Sequence, residues 1–244
     1  MFAEKPPPYR AARRWILAYC LCAALIALVW GGLSIWEKVE QSKRETRAAY
    51  CKHAYGFFLW KDYDRAICLL TEALKIEPND PRALIDRGVV WYAKQDNDRA
   101  IADYNAALKL KSGFASEAFN NLGNAWIAKK NYDRAIESLN QALKRKPDYA
   151  EAFANLGNAW DGKRDYDRAI DNYNKAIKLD PNSTFFYLRA IAWLHKDQKA
   201  RAITDFQRAY ALAPRGPHSV EAPLAGLREL GVKNPWPSPD EAFR

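Results

Sequence analysis

The chain has 244 residues, 49% hydrophobic and 27% charged, with 38 Lys and Arg against 29 Asp and Glu for a formal charge of +9. Over residues 47–216 the count is 28 basic against 21 acidic, or +7, but the signs interleave along the second helical stretch of each repeated segment, as on a solvated face laced with weak ion pairs. No run such as Lys144-Arg145-Lys146 returns in register to track phosphates, and the four cysteines and three histidines lack ligand spacing, so nucleic acid is disfavoured and no metal or cofactor is assigned.

Residues 1–14 form a basic tail with Lys5, Arg10, Arg13 and Arg14. Residues 15–36 carry no charge; at about 1.5 Å per residue a helix here reaches roughly 33 Å, enough for a hydrocarbon core of about 30 Å. Trp15, Tyr19, Trp30 and Trp36 lie near its ends, as interfacial anchors do. The run predicts one transmembrane helix in contact with membrane lipid, an uncleaved signal anchor. A cleaved secretory signal is the alternative, opposed by the length of the run and the lack of an Ala-x-Ala site. Lys38, Lys43, Arg44 and Arg47 on the far side nearly balance the tail, so the positive-inside count is close to a tie. Arg13-Arg14 abut the span, which favours a cytoplasmic tail with the rest of the chain outside, in a bacterium the periplasmic face of the inner membrane. The opposite topology stays open. Residues 37–46 are polar with good helix formers and predict a helical stalk.

Five Arg-Ala-Ile tripeptides follow, at Arg65, Arg99, Arg134, Arg168 and Arg201, spaced 34, 35, 34 and 33 residues apart. A period of this length marks one supersecondary unit repeated in tandem, each too small to bury its apolar face alone. The units are 47–80, 81–115, 116–149, 150–182 and 183–216, and each predicts two helices. Phe57, Trp91, Trp126, Trp160 and Trp193 take one place in the first helix, with Ala54, Gly88, Gly123, Gly157 and Ala190 three positions earlier, where a minimal side chain admits the second helix. Asp pairs such as Asp62/Asp64 and Asp165/Asp167 read as chemistry of helix starts. Pro78, Pro147, Pro181 and Pro214 close units, and Ser112 replaces the proline once. The arginines of the tripeptides are placed on the charged face of each second helix. Cys51 and Cys68 belong to the two helices of the first unit; packing is the expected role, and a bridge requires Cα atoms within about 7 Å. There is no phosphate loop and no nucleophile elbow, so no catalytic residue is assigned. Beyond the units, Ser219 to Gly231 through Leu224, Leu227 and Leu230 predicts a capping helix in a final segment, 217–244, whose remainder is irregular.

These residues resemble the tetratricopeptide repeat. Leu122-Gly123, Trp126, Tyr132, Ala135, Ala142 and Pro147 match its signature, as do Leu156-Gly157, Trp160, Tyr166, Ala169, Tyr173, Ala176 and Pro181. His53-Ala54 and Arg189-Ala190 depart from Leu-Gly in the outer units. The resemblance implies an all-α, right-handed α-solenoid of about five units plus the capping helix, behind the single transmembrane helix.

In that family first helices line a concave groove that receives an extended peptide or a partner helix. By that resemblance the groove residues are Asn120, Asn121, Asn124, Asn155 and Asn158, with Tyr55, Phe58 and Tyr92 near the entrance and Asp161 further in. The Asn-Leu-Gly-Asn pairs are similar to the asparagine ladder of the O-linked N-acetylglucosamine transferase repeats. An amide can pair with peptide backbone, or it can bond to the adjoining unit; both readings stand. Cys51, Ile85, Asn120, Ala154 and Tyr187 occupy the place of the lysine that chaperone co-factors use to clamp a peptide carboxylate, so that clamp is not expected. Arg82 and Lys52 are expected to favour acidic ligands. The implied function is a membrane-tethered scaffold that recruits a protein or peptide, the alternative a subunit of a membrane complex.

Overall fold

The computed structural model describes residues 9–110, 112–213 and 221–232, with side chains from Ser34 onward. Eleven helices and no strands occur among the described residues: α1 Tyr9–Leu59, α2 Tyr63–Ile76, α3 Pro81–Ala93, α4 Asn97–Lys109, α5 Ala115–Ala128, α6 Tyr132–Arg145, α7 Ala150–Gly162, α8 Tyr166–Leu179, α9 Ser183–His195, α10 Lys199–Leu212 and α11 Glu221–Glu229. From α1 to α10 they pair in order, and each first helix also packs on the second helix of the unit before it. First helices α3, α5, α7 and α9 touch in succession, which puts them on the inner side of the stack.

One turn recurs in every unit. Lys61, Gln95, Lys130, Arg164 and Asp197 adopt the left-handed conformation, with φ between 56° and 66°. The N–H of the next residue, Asp62, Asp96, Asn131, Asp165 or Gln198, reaches back 2.9–3.0 Å to the carbonyl of Phe57, Trp91, Trp126, Trp160 or Trp193, closing the first helix in a Schellman motif. In the first four units that same residue then caps the second helix. Its side-chain oxygen accepts from the backbone N–H of Arg65, Arg99, Arg134 or Arg168 at 3.1–3.3 Å. The prolines fall just past the ends of α2, α6 and α8, following Glu77, Lys146 and Asp180.

The two helices of a unit meet where the small residue was expected. A Cβ on Gly88 or Gly157 would stand 2.6 or 2.5 Å from the ring of Tyr104 or Tyr173, and one on Gly123 2.6 Å from Leu139. The arginine of each tripeptide is exposed on the charged face at the start of the second helix, as expected, and also covers a ring of the first. Arg99, Arg134, Arg168 and Arg201 lie over the rings of Trp91, Trp126, Trp160 and Trp193 at 3.6–4.7 Å, and Arg65 over Phe57 at 5.5 Å. The turn carries arginine back across the end of its own first helix, so one side of the guanidinium lies near the ring while the side chain stays open to solvent.

Between units a second device repeats. Lys94, Lys129, Lys163 and Lys196, which end the first helices, pair with Asp64, Asp98, Asp133 and Asp167 of the preceding unit. The second aspartate of each Asp-x-Asp turn thus reaches its neighbour as well as a helix start. In the first unit Trp60, 80% exposed, takes the place of the lysine.

Arg189 departs from the leucine of the signature for a compensated reason. Its guanidinium holds both oxygens of the buried Asp205 at 2.7 Å, as Arg87 holds Asp103 at 2.8 Å. Units with Leu122 and Leu156 carry Ser138 and Asn172 at that aspartate's place, and these bond to their own helix carbonyls. At the far end α11 covers α10: Leu227 is fully buried, and a Cβ on Gly226 would lie 2.6 Å from Phe206. Gly231, at φ 75°, follows the helix as anticipated, and the helix is described from Glu221; Pro214, Ser219 and the stretch 233–244 lie outside the described residues.

α1 joins the predicted span, the stalk and the first helix of unit one in 51 continuous residues. Arg47 in it contacts Glu77 at 3.1 Å and pairs with Asp80, tying it to the α2–α3 turn. No helix is long and apolar enough to cross a membrane among the described residues, and the side chains of 15–33, most of the predicted span, lie outside them.

Replacing Asp205 by Ala strands the Arg189 guanidinium and is expected to cost about 3 kcal/mol in urea unfolding. The double change Arg189→Leu with Asp205→Ser, which copies the third unit, is expected to recover all but about 1 kcal/mol of it.

Candidate functional site

On the inner side, α1, α3 and α5 enclose a hollow of about 550 Å3, within the range of about 300–1,000 Å3 common for ligand pockets. Its apolar wall is Ala54, Tyr55, Phe58, Leu70, Val89 and Val90, and its polar members are Cys51, Arg82, Asp86, Glu117 and Asn121. Helical spacing on α1 brings Cys51, Tyr55 and Phe58 to one face, and the stacking of units sets Asp86 and Glu117 opposite. Tyr55 is 64% exposed, so its ring is the wall's most open part.

Arg82 is committed to neighbours. Its Nε lies 3.0 Å from Asp86, its Nη1 3.1 Å from Glu117 of the next unit, and its guanidinium over Phe114 at 5.8 Å. Arg82, expected to favour acidic ligands, is thus one cation already faced by two carboxylates. Burial holds the Asp86 carboxyl above its ordinary range even though Arg82 pulls it down, with Glu117 and Asp80 pushing the same way as burial. Burial and the nearby Asp80 and Asp86 also push the Cys51 thiol up, which disfavours the nucleophilic thiolate. Cys51 is half-buried, Cys68 is exposed, and both are free.

The asparagines divide between two roles. Asn120 is buried, at 5% exposure, and accepts from the Asn155 amide at 2.9 Å while donating to Asn121 at 3.3 Å, so it ties the third unit to the fourth and does not face the groove. Asn158 accepts from the Tyr173 hydroxyl at 2.8 Å. Asn121 lines the hollow and Asn124 is half-buried one turn on. Tyr92 is 39% exposed and outside the hollow's lining. Asp161 is engaged by Nδ1 of His195 at 2.9 Å, with the Tyr166 ring 5.0 Å from the imidazole. Of the groove residues expected from the sequence, Tyr55, Phe58, Arg82 and Asn121 converge; Asp86, Glu117, Val89 and Val90 were missed. Asp86 stands in the same register as Asn121 and Asn155, so its place was readable from the repeat.

Residues 61–115, 93–150, 120–184 and 155–217 each match the model of the tetratricopeptide repeat, together more than half of the chain. This chain belongs to the tetratricopeptide repeat family. Proteins of the family bind protein or peptide partners. Among solved structures, the repeat protein is similar to TTC0263 of Thermus thermophilus, at 18% identity over 75% of this chain and 99% of that one, with a TM-score of 0.68. It is also similar to MamA, at 26% identity over 68% of this chain and 91% of that one, TM-score 0.56. YrrB, described as having an unusual peptide-binding site, aligns at 18% identity over 79% of this chain and 97% of that one, TM-score 0.55. No curated protein matches the chain.

Asn158→Ala leaves the buried Tyr173 hydroxyl without its acceptor and is expected to cost about 1–2 kcal/mol in urea unfolding, whereas Asn124→Ala is expected to change stability by less than about 0.5 kcal/mol. A carboxyl raised by folding opposes the fold while ionised, and that opposition is absent below its unfolded value. Asp86→Asn should therefore unfold at higher urea than the parent at pH 7, and the gap should close as pH falls through the carboxylate range.

Proposed function

We propose that the protein is a membrane-tethered scaffold which takes a segment of a partner protein into the hollow between α1, α3 and α5. The observation that carries this reading is the hollow itself: an apolar wall beside a charged and polar one, open on the inner face of a repeat array. Membership of a family that binds proteins and peptides supports it. Tethering rests on the uncharged run of 15–36, and α1 carries it without a break into the repeats. We place the array on the periplasmic side of the inner membrane because Arg13-Arg14 flank the run.

The test is made on the full-length protein expressed in bacteria. It is expected to stay in the membrane fraction through alkaline carbonate, to expose its C-terminal tail to protease in spheroplasts, and to capture partners substoichiometrically from mild detergent. Val89→Arg, which fills the hollow, is expected to lower that capture at least about tenfold without loss of folded protein. Release by carbonate would overturn tethering, and undiminished capture by the variant would overturn binding in the hollow. A fixed stoichiometric complex would instead identify a subunit of a membrane assembly.

A further inference from the structure

Resting on the groove reading above, we infer that the hollow selects partner segments in which an apolar anchor is accompanied by Lys or Arg. Its lining holds one guanidinium and two carboxylates, so the carboxylates outnumber the cation, which contacts both of them and the Phe114 ring while its side chain stays 49% exposed. An acidic ligand would have to compete with Asp86 and Glu117 for the one cation in the lining, against an excess of like charge. A ligand cation would supply the charge that the lining lacks. The same sign continues inward, because Glu151 holds in the fourth unit the register that Glu117 holds in the third, with Asp161 beyond it. Lys52 is exposed and outside the lining, at the rim by α1. The inner face therefore runs against the chain as a whole, whose formal charge is +9, and the contrast of sign steers a basic segment to the groove and away from the outer helices.

The geometry also sets the arrangement of the segment. Its aliphatic or aromatic side chain fills the space between Tyr55, Phe58, Val89 and Val90, and its cation lies toward α5, within reach of Glu117, whose side chain is 34% exposed.

The probe is a library of random dodecapeptides displayed on phage, selected on the full-length protein in mild detergent. Enriched sequences are expected to join Leu, Ile, Phe or Trp to Lys or Arg within about four residues, and to lose capture on Val89→Arg. The double variant Asp86→Asn with Glu117→Gln removes both carboxylates and frees Arg82. Affinity for an enriched basic peptide should fall at least about fivefold, and selection on the variant should turn toward Asp- and Glu-containing peptides. That reversal separates a charge effect from mere loss of structure. Enrichment of acidic or uncharged peptides that Val89→Arg abolishes would overturn the inferred chemistry and leave the groove reading standing. No enrichment, or peptides indifferent to Val89→Arg, would overturn the groove reading and the inference with it.

Discussion

The missing side chain at Gly88, Gly123 and Gly157 sets how near the two helices of a unit can come. With the ring of Tyr104 or Tyr173, or the branch of Leu139, pressed where a Cβ would be, the pair has one close contact about which the rest is arranged. The short turn is compatible with that contact because a single residue spends itself on a left-handed conformation and the next serves both helices. Arginine then falls over the aromatic ring that ends the first helix, and lysine over the gap to the unit before. The turn and the arginine recur in all five units, including the first and fifth, where Ala54 and Ala190 take the place of the glycine.

Within this frame, likeness and difference have separate tasks. Positions that touch another helix keep their chemistry, or change together, as Arg87 with Asp103 and Arg189 with Asp205 do where other units have leucine with serine or asparagine. Although Asn155 and Asn158 also bond to other helices, positions on the inner face vary more from unit to unit. They run from Tyr55 through Val89 to Asn124 and Asn158 at one register, and from Lys52 through Asp86 to Asn121 and Asn155 at another. The hollow is built where the first unit brings aromatics and the second brings aliphatics, beside a charge cluster that spans two units.

The period, the helix pairs, the small-residue contact and the helix-start aspartates were legible in the sequence because each depends on residues within one unit. The fate of Arg82 was not. Asp86 is four residues away and was available, but Glu117 is 35 residues on and meets it only after the units stack. Asn120 misled for a different reason. It neighbours Asn121, yet successive helix residues point about 100° apart, so one amide is turned into the seam between units and the other toward the hollow. The solvated place of the repeated arginines was legible, but their contact with the first-helix rings was not, because it depends on the turn's path over its own first helix.

The unbroken α1 has a consequence for rotational phase. A helix of 51 residues is about 77 Å long at about 1.5 Å per residue, and it has no hinge between the uncharged run and the hollow's wall. Whatever grips its early turns therefore fixes the compass bearing of the groove as well as its height. Adding one residue anywhere within 37–46 would swing the groove by about 100° while raising it only about 1.5 Å, and seven residues would be needed to bring it nearly back to its original heading.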